Sequence, residues 1–323
     1  MKNLRKSVGL VLALALLLPA LFAFAETEIP KIGIVQIMEH PALDAARQGF
    51  LDEMAKHGYE DGKTMAVDYR SAQGNPDILA SIADHFVSEN VTMVLAISTP
   101  AAQAVAGKTQ TIPILGTAIT DYVSARLAES NEKPGYNVSG TNDLSSIADQ
   151  IDLLIRLVPD AKTIGVLYTS SEDNSVIQAQ IAKDYIESKG LAYVDATVHN
   201  ANDVQQATLS IMDRCDAVYI PTDNTYASAM PIVYEVAVAA KKVVVCGDTS
   251  MVMGGGIATL AINYYKLGEQ TALMAIDVLN GADISTMPIQ SQKEYEYVVN
   301  KTMADAVGLT IPEDLVPYAQ EME

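Results

Sequence analysis

Apolar residues in this chain gather in short blocks without period-two alternation. Between the blocks lie stretches whose apolar positions recur every three or four residues. Short continuous blocks are what strands look like when helices cover both faces of a parallel sheet. In the first half the blocks fall at 31–37, 65–70, 92–98 and 112–117. The first intervening stretch places Leu43, Ala46, Phe50 and Met54 on one helical face, and a second, over 76–89, places Ile78, Ile82 and Phe86. A third helix is expected to open at Thr99-Pro100, because threonine caps and proline suits the first helical position. A strand at 136–141 leads out of this half, and an amphipathic helix over 145–158 buries Ile147, Ile151, Leu154 and Ile155. The second half repeats the pattern with strands at 163–168, 192–198, 217–221 and 243–247. One long helix over 260–279, a strand at 295–300 and a short helix at 302–307 close it.

The halves can be laid side by side. Lys31-Ile32-Gly33-Ile34-Val35 answers Thr163-Ile164-Gly165-Val166-Leu167, and 94–99 and 112–117 answer 218–222 and 243–248. The repeat predicts an α/β protein of two doubly wound parallel-sheet lobes. Three crossovers are expected near 141–145, 258–263 and 286–292. One lobe would then hold 26–142 with 264–287, and the other 143–263 with 288–323. A cleft between two such lobes is a natural place for a small ligand.

Residues 1–25 stand apart. A basic start at Lys2, Arg5 and Lys6, an apolar run from Val8 to Leu18 and the small-residue pattern Ala23-Phe24-Ala25 read as a secretory signal cut after Ala25. The run is shorter than the roughly 20 apolar residues a spanning helix needs. No cysteine lies near the cut, so no lipid anchor is expected. Cleavage removes three bases and no acid, leaving a chain more acidic than its formal −19. Such a surface repels nucleic acid and anionic lipid, so neither is expected as a partner.

Most enzyme signatures fail on inspection of the residues. Gly107-Lys108-Thr109 lacks the glycine five positions earlier that a phosphate loop needs, Ala102 standing there. Gly254-Gly255-Gly256 reads as a turn and not as a dinucleotide fingerprint. His40, His57, His85 and His199 are isolated, so no metal site is expected, and no cofactor either. Cys215 and Cys246 form no CxxC and are expected to be buried thiols.

Polar loops remain, all at strand C-terminal ends, where ligands sit in open α/β sheets. They are 36–40, 98–100, 117–121, 170–175, 222–224 and 248–250. Helix N-termini there offer free N–H groups for a carboxylate. The expected ligand set is Glu39, Ser98, Thr99, Thr117, Asp121, Tyr122, Ser171, Asn174, Ser175, Thr222, Asp223, Asn224 and Asp248. Ser98, Thr99, Ser171, Asn174 and Ser175 are assigned to a carboxylate. Asp223 is assigned to an ammonium, with Asp121 or Asp248 second. The chain has no tryptophan, so stacking on a ligand ring falls to tyrosine or phenylalanine. Tyr122, Tyr168 and Tyr226 adjoin the loops.

At these loops the chain resembles the periplasmic substrate-binding proteins of ABC transporters in the tryptophan/tyrosine-type group. The likeness is carried by Gln36–Asp44, Ser98–Ala104, Gly116–Asp121, Tyr168–Ser175, Pro221–Thr225 and Gly247-Asp248, in order and spacing. It implies a type I periplasmic-binding fold, no catalysis, and delivery of the ligand to a membrane permease and its ATPase. Members of that group often carry proline where Tyr122 stands, so Tyr122 is placed to fill part of the pocket. The expected protein is an exported, monomeric capture component for a zwitterionic ligand, an aromatic or other apolar amino acid. A secreted racemase or lyase using the same cleft is the alternative, and a ligand-presenting sensor subunit is a third reading.

Overall fold

The apolar blocks become strands, buried on both faces at the centre of each sheet and half-exposed at the edge strands Ala66–Ser71 and Ala192–Val198. In the computed structural model, which describes residues 29–322, the first five strands are β1 Lys31–Gln36, β2 Ala66–Ser71, β3 Met93–Ile97, β4 Ile114–Ile119 and β5 Val138–Asn142. The next five are β6 Thr163–Thr169, β7 Ala192–Val198, β8 Ala217–Ile220, β9 Val243–Cys246 and β10 Ala258–Ala261. Three short returns follow: β11 Gln290–Ser291, β12 Glu296–Asn300 and β13 Ala319–Gln320. The signal segment expected over 1–25 lies outside the described residues.

Two sheets result. One runs β11-β5-β4-β3-β1-β2 and is parallel throughout. The other runs β13-β12-β10-β9-β8-β6-β7 and is parallel except where β12 lies antiparallel to β10. Both contain the order 2-1-3-4-5, which reverses direction between the first and third strands and opens a crevice at that switch point. The loops after β1 and β3, and after β6 and β8, therefore flank the two crevices.

Each sheet carries its own apolar core. In the first lobe Phe50, Phe86, Met54 and Leu95 are fully buried. In the second, Tyr219, Ile164, Val245 and Val299 are. Asn75 illustrates how sequence starts a helix: its side-chain oxygen accepts the Asp77 and Ile78 N–H groups, and Pro76 takes the first helical position. The chain passes between the sheets after β5, after β10 and after β11.

One expected element is revised. The long helix over 260–279 starts only at Tyr264, and Ala258–Ala261 are a strand paired to β9 and β12. Asn263 breaks the pattern by capping the Lys266 N–H at 3.1 Å. The helix Tyr264–Leu279 lies in the first lobe against the helix Pro41–Lys56. Glycines set their approach: a Cβ on Gly49 would fall 2.0 Å from the Tyr265 carbonyl, and one on Gly268 would fall 1.9 Å from that of Ala46. Cys215 and Cys246 are both buried and unpaired.

Candidate functional site

The loops that leave the two crevices meet in a narrow, almost completely closed cleft of about 20 Å³. The first lobe lines it with His40, Leu43, Thr99, Ala118, Thr120 and Asp143. The second supplies Asn174, Thr222, Asp223, Asn224 and Asp248, and Tyr264 comes from the second crossing. A more open hollow lined by Arg126, Tyr136 and Asp283 lies at the opposite, N-terminal end of the first sheet, away from every strand C-terminus.

On the second-lobe side the polar groups form a tight web. Asp223 caps the helix Asn224–Ser228 and accepts the Thr169 N–H at 2.6 Å, the Thr169 hydroxyl at 2.8 Å and the Tyr226 N–H at 2.9 Å. Glu172 Oε2 accepts from the Asn224 side-chain amide, from the Asn174 amide at 3.2 Å and from the Asn224 backbone N–H at 3.4 Å. Its Oε1 accepts the Thr225 hydroxyl at 3.1 Å. Gln178 takes the Thr222 hydroxyl at 2.8 Å and returns its amide to the Thr222 carbonyl at 3.0 Å.

The first-lobe side is sparser. Asp143 accepts the Tyr264 hydroxyl at 2.7 Å and the Thr120 hydroxyl at 3.3 Å. Thr99 Oγ1 accepts the Thr120 N–H at 3.4 Å. His40 Nε2 crosses the gap to lie 3.4 Å from Asn224 Oδ1, and the Gln178 amide reaches Thr120 Oγ1 at 3.5 Å. At the rim the Gln103 amide donates to Asp173 at 2.9 Å. The lobes are thus in direct contact across the cleft.

Burial dominates the electrostatics. It pushes Asp143 up to about 6 against the pull of the Tyr264 and Thr120 hydroxyls. Burial also raises Glu172 to about 7, with the Asp223 charge adding to it, and raises Asp223 in turn. His40 is held below its ordinary value by burial, although Asp248, Asn224, Asp44 and Asp223 favour its charged form. Among the described residues no lysine or arginine lines the cleft. The site is therefore rich in acceptors and poor in cations.

Thr99, Asn174, Thr222, Asp223, Asn224 and Asp248 of the expected set reach the cleft. Glu39 and Ser171 stand in the open groove at its mouth, both exposed, and Ser171 donates to the His199 carbonyl at 3.2 Å. The others are corrected. Tyr122 is fully buried in the first-lobe core, where its hydroxyl donates to the Gly116 and Thr141 carbonyls at 2.9 and 3.0 Å. Gly116 and Gly140 make that room, since a Cβ on either would fall 2.5 or 2.6 Å from the Tyr122 oxygen. Thr117 joins a buried hydroxyl ladder through Thr141 to Thr271, with steps of 3.2 and 2.8 Å. Ser98, at φ +99°, caps the Ala101 N–H, and Asp121 caps that of Ser124. Ser175 is wholly buried behind Asn174.

His40, Thr120, Asp143, Glu172, Gln178 and Tyr264 were not in the expected set. His40, Thr120 and Glu172 lay within the polar loops, where a preference for small hydroxyls and aspartates passed over them. Asp143 and Tyr264 sit at the first two crossings, which read as hinges without chemistry.

Comparison with known proteins fits this geometry. A profile of ABC transporter substrate binding proteins matches residues 31–323. The chain is 39% identical over 294 residues to a tyrosine-binding protein of Clostridioides difficile, covering 91% of this chain and 85% of that one. It superposes with a TM-score of 0.87 on a Streptococcus pneumonia ABC domain in complex with L-Trp, at 35% identity over 91% of this chain and all of that one. On the ligand-free, open structure of a Clostridium difficile substrate binding protein with adhesive properties, the TM-score is only 0.69. That protein is 40% identical, again over 91% of this chain and all of the other. The poorer fit at higher identity means that the two lobes here do not stand in that open arrangement, as the bonds across the cleft already require. The chain belongs to the ABC transporter substrate-binding proteins, with the type I periplasmic-binding fold.

Proposed function

We propose that this chain captures a small zwitterionic amino acid with an aromatic side chain and holds it between its closed lobes. The observation that carries the reading is the interlobe cleft, acidic and without a lysine or arginine among its described lining residues, built on a scaffold shared with a tyrosine-binding protein and an L-Trp complex. Members of the family serve ABC transporters outside the cytoplasm, which makes a permease and its ATPase the partners. The family consists of binding proteins rather than enzymes. No helix among the described residues is long and apolar enough to cross a membrane.

Within that reading the ammonium goes to Asp248 and not to Asp223. Asp248 Oδ1 accepts the Ser250 hydroxyl at 2.6 Å and the Met251 N–H at 3.0 Å, while no bond to its Oδ2 is found among the described residues. Asp223 has both oxygens engaged. The carboxylate goes to the first turn of the helix Thr99–Ala106, where the Thr99 hydroxyl has its proton to give. Closure follows from a ligand that touches both lobes and shifts the population toward the closed form. The protein works as a monomer exported by its N-terminal segment and performs no chemistry on its ligand.

Calorimetric titration with L-Tyr, L-Trp, L-Phe and an aliphatic control tests this. Saturable one-to-one binding of an aromatic amino acid, unchanged on recovery, is expected. Turnover of the ligand, or binding of none of them, would overturn it. Because the chain has no tryptophan of its own, indole fluorescence reports L-Trp directly.

A further inference from the structure

We infer that the cleft recognises a primary ammonium through its N–H groups, held jointly by His40 Nδ1, Asn174 Oδ1 and the Asp248 carboxylate. Aromatic primary amines that lack a carboxylate are then ligands too. The inference deepens the capture reading and rests on it.

Two buried atoms lead to it. His40 and Asn174 are 6% and 4% exposed and both line the cleft, one from each lobe. His40 Nδ1 and Asn174 Oδ1 have no hydrogen-bond partner among the described residues. Their polarity is fixed by neighbours that have no choice of role. The Asn224 backbone N–H can only donate, so the Glu172 oxygen that faces it accepts. The side-chain amides of Asn174 and Asn224 meet that same oxygen, and each must therefore present NH₂ to it. Asn174 is held the same way by the Thr222 carbonyl, which its amide reaches at 3.4 Å. Asn174 Oδ1 is consequently a bare acceptor. Asn224 in turn offers its Oδ1 to His40, so His40 Nε2 carries the hydrogen and Nδ1 carries a lone pair.

Glu172 thus acts as a positioning residue. It orients two amides and, through one of them, selects the tautomer of a histidine on the other lobe. The result is two bare acceptors beside a carboxylate with one uncommitted oxygen. Three of the nearby side-chain donors are spent: Tyr264 and Thr120 donate to Asp143, and Thr222 donates to Gln178, while the Thr99 hydroxyl keeps its proton for the carboxylate. Buried acceptors left bare are unfavourable, so the cleft calls for a group that brings several N–H donors and a positive charge. A primary ammonium has three N–H donors and no acceptor. Nothing in this set of three groups uses a carboxylate, so removing it from the ligand leaves this anchor intact.

Calorimetry on the purified chain with four probes tests the inference: L-tryptophan, tryptamine, indole-3-propionate and the N-trimethylated tryptophan betaine. Tryptamine is expected to bind within about tenfold of L-tryptophan, and indole-3-propionate and the betaine to lose at least about a hundredfold. The betaine keeps the positive charge but has no N–H, so its loss separates donation from simple charge attraction. If indole-3-propionate equals or exceeds tryptamine, or if tryptamine falls more than about a hundredfold, the inference is overturned while amino-acid capture stands. Retained betaine affinity would likewise overturn the role of the bare acceptors. If none of the four binds and no other aromatic amino acid does, capture and inference fall together.

Discussion

Asp223 and Asp248 occupy matching places, each following a neighbouring strand of the second sheet and each capping a short helix. They differ in what their carboxylates already hold. Asp223 has both oxygens engaged by Thr169 and Tyr226, and so belongs to the scaffold that shapes the cleft wall. Asp248 keeps one oxygen uncommitted among the described residues. The lesson is that an acidic residue at a strand end serves a ligand only with what its own protein leaves it.

Four measurements can break or sharpen that contrast. Asp223→Ala strands three donors, on Thr169 and Tyr226, and should cost about 3–4 kcal/mol of unfolding free energy by urea titration. A stable Asp223→Ala variant with lost affinity would reverse the two roles. Asp248→Asn keeps an acceptor for Met251 and should leave the melting temperature nearly unchanged. Its affinity for an aromatic amino acid should drop about a hundredfold, equivalent to about 2.7 kcal/mol.

Glu172→Gln probes the web through pH. The folded value of about 7 lies above the ordinary 4.5, so the native chain holds a proton that the unfolded chain releases in that window. The contribution of Glu172 is full below 4.5 and is lost as pH rises through 7. Wild type and variant should therefore melt alike near pH 4.5 and diverge above 7, the variant being more stable by about 3 kcal/mol. Parallel melting curves across the range would show that Glu172 titrates normally. Tyr122→Phe removes the hydroxyl donor from two buried carbonyls and should cost about 1 kcal/mol of stability with ligand affinity untouched. Weakened binding in that variant would return Tyr122 to the site.

The fold was legible in the chain because parallel strands covered on both faces write themselves as short apolar blocks. The doubling of those blocks disclosed two lobes. The strand Ala258–Ala261 was hidden because its apolar run continues into the helix that starts at Tyr264. The site was legible only as a set of loops. Ser98, Asp121 and Ser175 have the right chemistry in the right places, but their polar groups are turned to the protein's own backbone and side chains. Periodicity does not report such local bonds. Tyr122 failed for a different reason: Gly116 and Gly140 open a hole for its hydroxyl, and a hole made by a missing Cβ leaves no mark in hydropathy. Asp143 and Tyr264 went unseen because their partnership joins distant segments at two separate crossings.

The close seating of Gly49 and Gly268 bears on the order in which the chain can assemble. The helix that covers the first sheet beside Pro41–Lys56 is made only after every strand from β1 to β10. Until it arrives, Phe50 and its neighbours have no lid, and the second lobe has nearly all of its strands before the first can be completed. Closing so long a loop is slow even when it is thermodynamically cheap. The first lobe, although first in sequence, is therefore expected to finish folding last. A substitution at Gly268 should then show itself as a refolding defect before any change in what the cleft binds.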